Sequence, residues 1–107
     1  MTNPLHINTP LIKSRKLSTG NSEVWLKLEA LQPTGSFKNR GIGHACQQYV
    51  CAGADHLVSS SGGNAGIATA YCGEKLGVAV TVIVPETALR IAISAIEGFG
   101  GKVIVQG

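Results

Sequence analysis

The chain has 107 residues, 44% apolar and 14% charged, with a net charge of +3. That suits one small domain with a core of its own and does not fit a disordered chain. Lys13, Arg15 and Lys16 are the only basic cluster; without aromatic interleaving or a longer stripe it reads as a solvated face and gives no nucleic-acid partner.

Residues 1–22 read as an irregular lead-in, with Thr9-Pro10-Leu11-Ile12 as a short extended segment and Ser18-Thr19-Gly20-Asn21 as a turn. Val24 to Glu29 alternates, with Val24, Leu26 and Leu28 on one face, which predicts a strand with one wetter side. Gln32-Pro33-Thr34-Gly35 ends it. Ser36 is a good N-cap for a helix with apolar residues at Ile42, Ala45, Cys46, Tyr49 and Val50, closing near Gly53. His56-Leu57-Val58 reads as a buried strand. After the turn at Ser59–Gly63, a second helix capped by Ser61 or Asn64 carries Ala65, Ala68, Tyr71, Cys72 and Leu76, and stops at Gly77. Val78 to Val84 is nearly all β-branched, as expected of a strand covered on both faces. A third helix has Leu89, Ala92, Ile93, Ile96 and Phe99 on one side, and Val103–Val105 is a last strand.

Leu57, Val80 and Val103 are 23 residues apart, one strand–turn–helix unit repeated. The repeat predicts an α/β fold of three-layer βαβ units with a parallel sheet. Ligands of such sheets bind beyond the carboxyl ends of the strands, here at Ser59–Gly63, Pro85–Thr87 and Gln106–Gly107.

Cys46, Cys51 and Cys72 lack C-x-x-C spacing and the histidines at 6, 44 and 56 are scattered, so no metal site is expected. Free thiols fit a reducing cytosol. The N-terminus shows no signal-peptide run, and the longest apolar stretch, Val78–Val84, is far too short to span a bilayer, so a cytoplasmic protein without a membrane partner is expected.

Two turns stand out chemically. Ser60-Ser61-Gly62-Gly63-Asn64 opens a helix. Its glycines allow close backbone approach, its N–H groups and hydroxyls suit a carboxylate or phosphate, and an ordinary capped βα turn is the plainer alternative. Lys38 falls in a first helical turn, where the helix dipole disfavours a cation. It is either a tolerated surface lysine or an amine poised, by desolvation and the dipole, for Schiff-base chemistry. Phe37 is either core or a face for a flat cofactor, and Arg40 reads as a solvated charge. Cys72 reads as a buried inert thiol, and the carboxylates show no paired arrangement.

Lys27-Leu28-Glu29-x-x-Gln32-Pro33-Thr34-Gly35-Ser36-Phe37-Lys38-x-Arg40-Gly41 closely resembles the cofactor-lysine motif of the serine/threonine dehydratase family, and Ser60-Ser61-Gly62-Gly63-Asn64-Ala65-Gly66 resembles its substrate loop. The likeness runs through essentially the whole chain and is nearest to the serine dehydratase branch. It implies the small domain, with flanks, of a pyridoxal-phosphate fold type II enzyme that deaminates L-serine, and with it L-threonine, to a 2-oxo acid and ammonia. Lys38 would hold pyridoxal 5'-phosphate as a Schiff base, Phe37 would pack on its ring and Asn64 would bond its phenolic oxygen. Ser61, Gly62, Asn64 and Ala65 would take the substrate carboxylate. Residues 1–22 would belong to a missing large domain, and residues 23–107 would be an incomplete catalytic unit. The family's phosphate-cupping glycine loop and the residue facing the pyridine nitrogen are not visible in the chain, so weak or absent turnover is expected. The resemblance also implies a homodimer. A truncated non-catalytic form, and a cysteine-synthase-like or threonine-synthase-like enzyme, are the alternatives; Gly62-Gly63 and Gly35-Ser36-Phe37-Lys38 favour the dehydratase.

Overall fold

The computed structural model describes residues 3–107. Strands β1 (Leu11–Lys13) and β2 (Trp25–Lys27) form an antiparallel hairpin with Ile12 opposite Leu26. The expected turn closes it: the Thr19 N–H donates to the Ser22 carbonyl at 2.8 Å and the Ser22 N–H to Thr19 Oγ1 at 3.2 Å. β2 is shorter than the alternation predicted, because the chain enters a 3-10 turn at Glu29–Leu31, and all three of its residues are exposed. The drier face expected at Leu26 is therefore not formed.

Helix α1 (Lys38–Cys51) begins after Gly35, whose φ of +83° makes the preceding turn. The capping position is Phe37, which makes no side-chain cap; the expected cap, Ser36, lies one residue earlier, and its Oγ accepts the Lys38 N–H at 3.3 Å. The helix ends before Gly53, where φ is +108°.

The core is a parallel sheet in the order β3 (His56–Ser59), β4 (Ala79–Val84), β5 (Lys102–Val105). Helix α2 (Asn64–Leu76) links β3 to β4, and α3 (Arg90–Gly98) links β4 to β5. Right-handed crossovers to successive neighbours put both helices on one face. Leu57 stands opposite Val80, whereas Val103 stands opposite Val82. The 23-residue repeat thus slips by two residues in its second unit, which keeps every side chain on its own face. Leu57, Val80, Val82, Val84, Ala70, Cys72 and Ile96 form the core with Cys46 of α1. α2 ends in a left-handed Gly77, as expected. α3 starts at Arg90 after an extended Leu89, with no side-chain cap.

Three burial expectations are corrected. On β4, Val80, Val82 and Val84 are buried but Thr81 and Ile83 only half-buried, and on β3 Val58 is 66% exposed. Strand alternation points these residues away from the helices, and no described element covers that side. On α1, Tyr49 is 64% exposed. The buried line is Asn39, Gly43 and Cys46, where α1 meets α2, and a Cβ at Gly43 would lie 3.8 Å from Cys72 Sγ.

Candidate active site

α1 and α2 each connect to β3 through four residues, 52–55 and 60–63, and the two helices pack together. Each therefore runs back along β3, so that both amino ends are directed to the carboxyl edge of the sheet. That edge carries both motifs: Lys38 opens α1, and Ser61 to Ala65 lead into α2.

Lys38 is exposed, so of the two local readings the desolvated amine is not the one found. Its Nζ lies 5.4 Å from the centroid of the Phe37 ring. Phe37 is 61% exposed, which makes it a free aromatic face beside the amine and excludes the core reading. Ser61 is half-buried and its Oγ accepts the Gly63 N–H at 3.2 Å. Neither Ser61 nor Asn64 caps α2 by its side chain; Gly63 is the capping residue. Gly62 is wedged, since a Cβ there would meet Ala88 Cβ at 3.2 Å and Pro85 Cδ at 3.3 Å. A Cβ at Gly63 would meet nothing within 4 Å among the described residues, so the loop opens outward there. Asn64 is exposed and Ala65 half-buried. Ile67 is the first residue of α2 to return an N–H into the helix, to the Gly63 carbonyl at 3.1 Å. The N–H groups of Asn64, Ala65 and Gly66 precede it and are left for an outside acceptor.

The sequence reading missed two contributors. Gly66 lets the first turn of α2 close on Ser61, and its only signal was its place as a third glycine in the stretch. Arg40, read as solvated, is instead paired with Glu29 at 2.5 Å. Glu29 also accepts from Thr9 Oγ1 and from Gln32 Nε2. The Arg40 guanidinium first, and the Thr9 hydroxyl second, hold the Glu29 carboxyl down from 4.5 to about 2. Cys72 is fully buried, as expected. A separate apolar groove of about 190 Å³ lies between α1 and β3, lined by Ile42, Cys46, Tyr49, Leu57, Val58 and Ser59 among others; it touches none of the candidate site residues.

An exposed primary amine, an exposed ring next to it and a helix start with unpaired N–H groups match an aldehyde, a flat ring and an anion. The residues present therefore fit pyridoxal phosphate with an amino-acid carboxylate beside it.

Comparisons with known proteins agree with this geometry. A family model described as "Pyridoxal-phosphate dependent enzyme" matches residues 2–107. The chain is 48% identical over 105 residues to the human protein named "Serine dehydratase-like", covering 97% of this chain and 32% of that one. It is 45% identical over 105 residues to the human "L-serine dehydratase/L-threonine deaminase", with the same coverage. Among solved structures, a fungal L-serine ammonia-lyase from Rhizomucor miehei superposes with a TM-score of 0.80 at 33% identity, over 96% of this chain and 34% of that one. The chain thus spans about a third of the length of the curated relatives it matches. Its architecture is that of fold type II enzymes.

Proposed function

Because the chain belongs to the pyridoxal-phosphate dependent enzyme family, we propose that it carries the lysine and carboxylate-binding portion of an L-serine and L-threonine ammonia-lyase. Lys38 would hold the cofactor aldehyde through Nζ, Phe37 would lie against the ring, and Asn64 would bond the ring oxygen. Ser61, Gly62, Asn64 and Ala65 would orient the substrate carboxylate with hydroxyl and N–H donors. When bound, the cofactor supplies an electron sink that stabilises charge at the substrate Cα. With its amine free, Lys38 Nζ would be the base that takes the substrate Cα proton. Exposure of Lys38 and Asn64 leaves both reachable by a ligand. The β-hydroxyl leaves as water and one water is taken up when the resulting imine is hydrolysed, so overall the amino acid gives one 2-oxo acid and one ammonia.

What supports this reading is the connectivity, which turns the amino ends of α1 and α2, and with them the Lys38 and Ser61–Ala65 turns, toward the carboxyl edge of the sheet. The activities for which the relatives are named support the choice of substrate. Titration of the chain with pyridoxal phosphate is expected to give a visible absorption band, and borohydride reduction to fix the cofactor on the Lys38 peptide. Lys38→Ala removes both. No trapping on Lys38 at saturating cofactor overturns the proposal. Trapping with no 2-oxo acid released from either amino acid keeps the cofactor site and removes the ammonia-lyase.

A further inference from the structure

Taking Lys38 as the cofactor lysine, we propose that Asn39 and Arg40 are positioning residues that fix the direction in which Lys38 leaves α1, Asn39 anchored on Thr34 and Arg40 on Glu29. Among the described residues the Lys38 side chain makes no hydrogen bond or ion pair; its Nζ lies over the Phe37 ring and its N–H bonds Ser36 Oγ. The two residues after it are tied down by their side chains on both flanks of that turn.

Asn39 is fully buried. Its Oδ1 accepts the Thr34 N–H at 3.0 Å and the Thr34 hydroxyl, which closes the Thr34–Phe37 loop onto the first turn of α1. Its Nδ2 is buried without a hydrogen-bond partner among the described residues. A buried, unmet donor destabilises, so an apolar side chain of similar volume would serve the fold better. What the carboxamide alone provides is the acceptor for Thr34.

Arg40 reaches Glu29 with two groups, Nε to Oε1 at 2.5 Å and Nη2 to Oε2 at 3.3 Å. A two-point guanidinium–carboxylate contact sets orientation as well as distance. Glu29 is fixed in turn by Thr9 and Gln32, and Gln32 clasps both the N–H and the carbonyl of Ile7, at 2.9 and 2.8 Å. Lys27 Nζ holds the Thr9 carbonyl at 2.6 Å. The anchor thus runs from α1 through the 3-10 turn to the N-terminal segment. The fork-on-carboxylate geometry sets direction in addition to whatever the contact contributes to stability. With Arg40 neutralised, Lys38 is the cation left without an ion-pair partner at the start of α1 among the described residues.

Amide hydrogen exchange by NMR, and the distribution of borohydride-trapped pyridoxal phosphate among the lysines, test this on the 107-residue chain. Arg40→Leu and Thr34→Val are each expected to speed exchange of the Lys38 and Arg40 amides about fivefold while α3 amides stay unchanged. Both are also expected to lower the share of trapped cofactor on Lys38. Arg40→Lys keeps the charge without the fork and is expected to behave like Arg40→Leu. Unchanged exchange at the turn, equal acceleration across α1, α2 and α3, or full recovery in Arg40→Lys each overturns the positioning role. Failure of the wild-type chain to trap cofactor on Lys38 overturns the cofactor reading instead, and the exchange rates still decide whether the turn is held.

Discussion

A Cβ built on Gly66 would lie 2.1 Å from the carbonyl oxygen of Ser61 and 3.0 Å from Val82 Cγ1. The first obstacle is backbone and cannot swing aside, so the loop that precedes α2 sits down on the helix only because residue 66 has no side chain. Gly66→Ala is expected to cost about 1–3 kcal/mol in urea unfolding by overpacking. Gly41 is the contrast: it is helical, and a Cβ there meets nothing within 4 Å among the described residues. Gly41→Ala is expected to raise stability by about 0.5–1 kcal/mol. Equal effects of the two changes would remove the claim of close approach at Ser61.

Glu29 makes stability depend on acid pH. Its carboxyl titrates at about 2 in the folded chain against 4.5 ordinarily. Between those values the unfolded chain binds the extra proton, so stability rises with pH. The contribution is fully present above about 4.5 and is lost as pH falls through about 2. Melting temperatures measured from neutral pH downward are expected to fall less steeply over that window in Glu29→Gln. Parallel slopes for the two proteins would show that the Arg40 contact is not made in solution.

The strand–helix alternation and both candidate turns were legible because each rests on local signals: β-branched runs, caps, and glycines at element ends. What escaped was set by partners distant in sequence. Arg40 looked solvated because Glu29 lies eleven residues earlier and is brought back by a 3-10 turn. Phe37 stayed open between core and cofactor face because nothing local says that the first turn of α1 faces outward. The β-branched run at Val78–Val84 suggested two covered faces, yet β-branching reflects strand preference as much as burial. Val58 erred for the same reason. The resemblance supplied the roles of Lys38 and Asn64, which spacing alone left open.

The three cysteines divide by environment. Cys51 is exposed, whereas Cys46 and Cys72 are buried where α1 meets α2. The Cys72 thiol is pushed up by the neighbouring Cys46 thiol and by burial. A protonated, buried thiol is a poor nucleophile. Iodoacetamide under native conditions is expected to label Cys51 alone, with Cys46 and Cys72 reacting only after unfolding. Mass spectrometry of the peptides checks this, and native labelling of Cys72 would show that the α1–α2 contact opens readily.

The sheet face turned away from α2 and α3 has a measurable consequence. Val58, Ile83 and Ile104 point to it, with Ile83 and Ile104 directly opposite across β4 and β5, and Val58 and Ile104 are exposed. Lys102 opposite Thr81 interrupts the patch with a charge. Apolar surface of this kind promotes association, so light scattering is expected to rise with protein concentration and to fall in the double variant Val58→Thr, Ile104→Thr. Because these side chains bury little, the double variant is expected to unfold within about 1 kcal/mol of the parent. Ile96→Ala, at a position with no exposure, is expected to cost about 2–5 kcal/mol. Scattering unchanged in the double variant would place the association on the exposed Leu11, Ile12 and Trp25 of the β1–β2 hairpin instead.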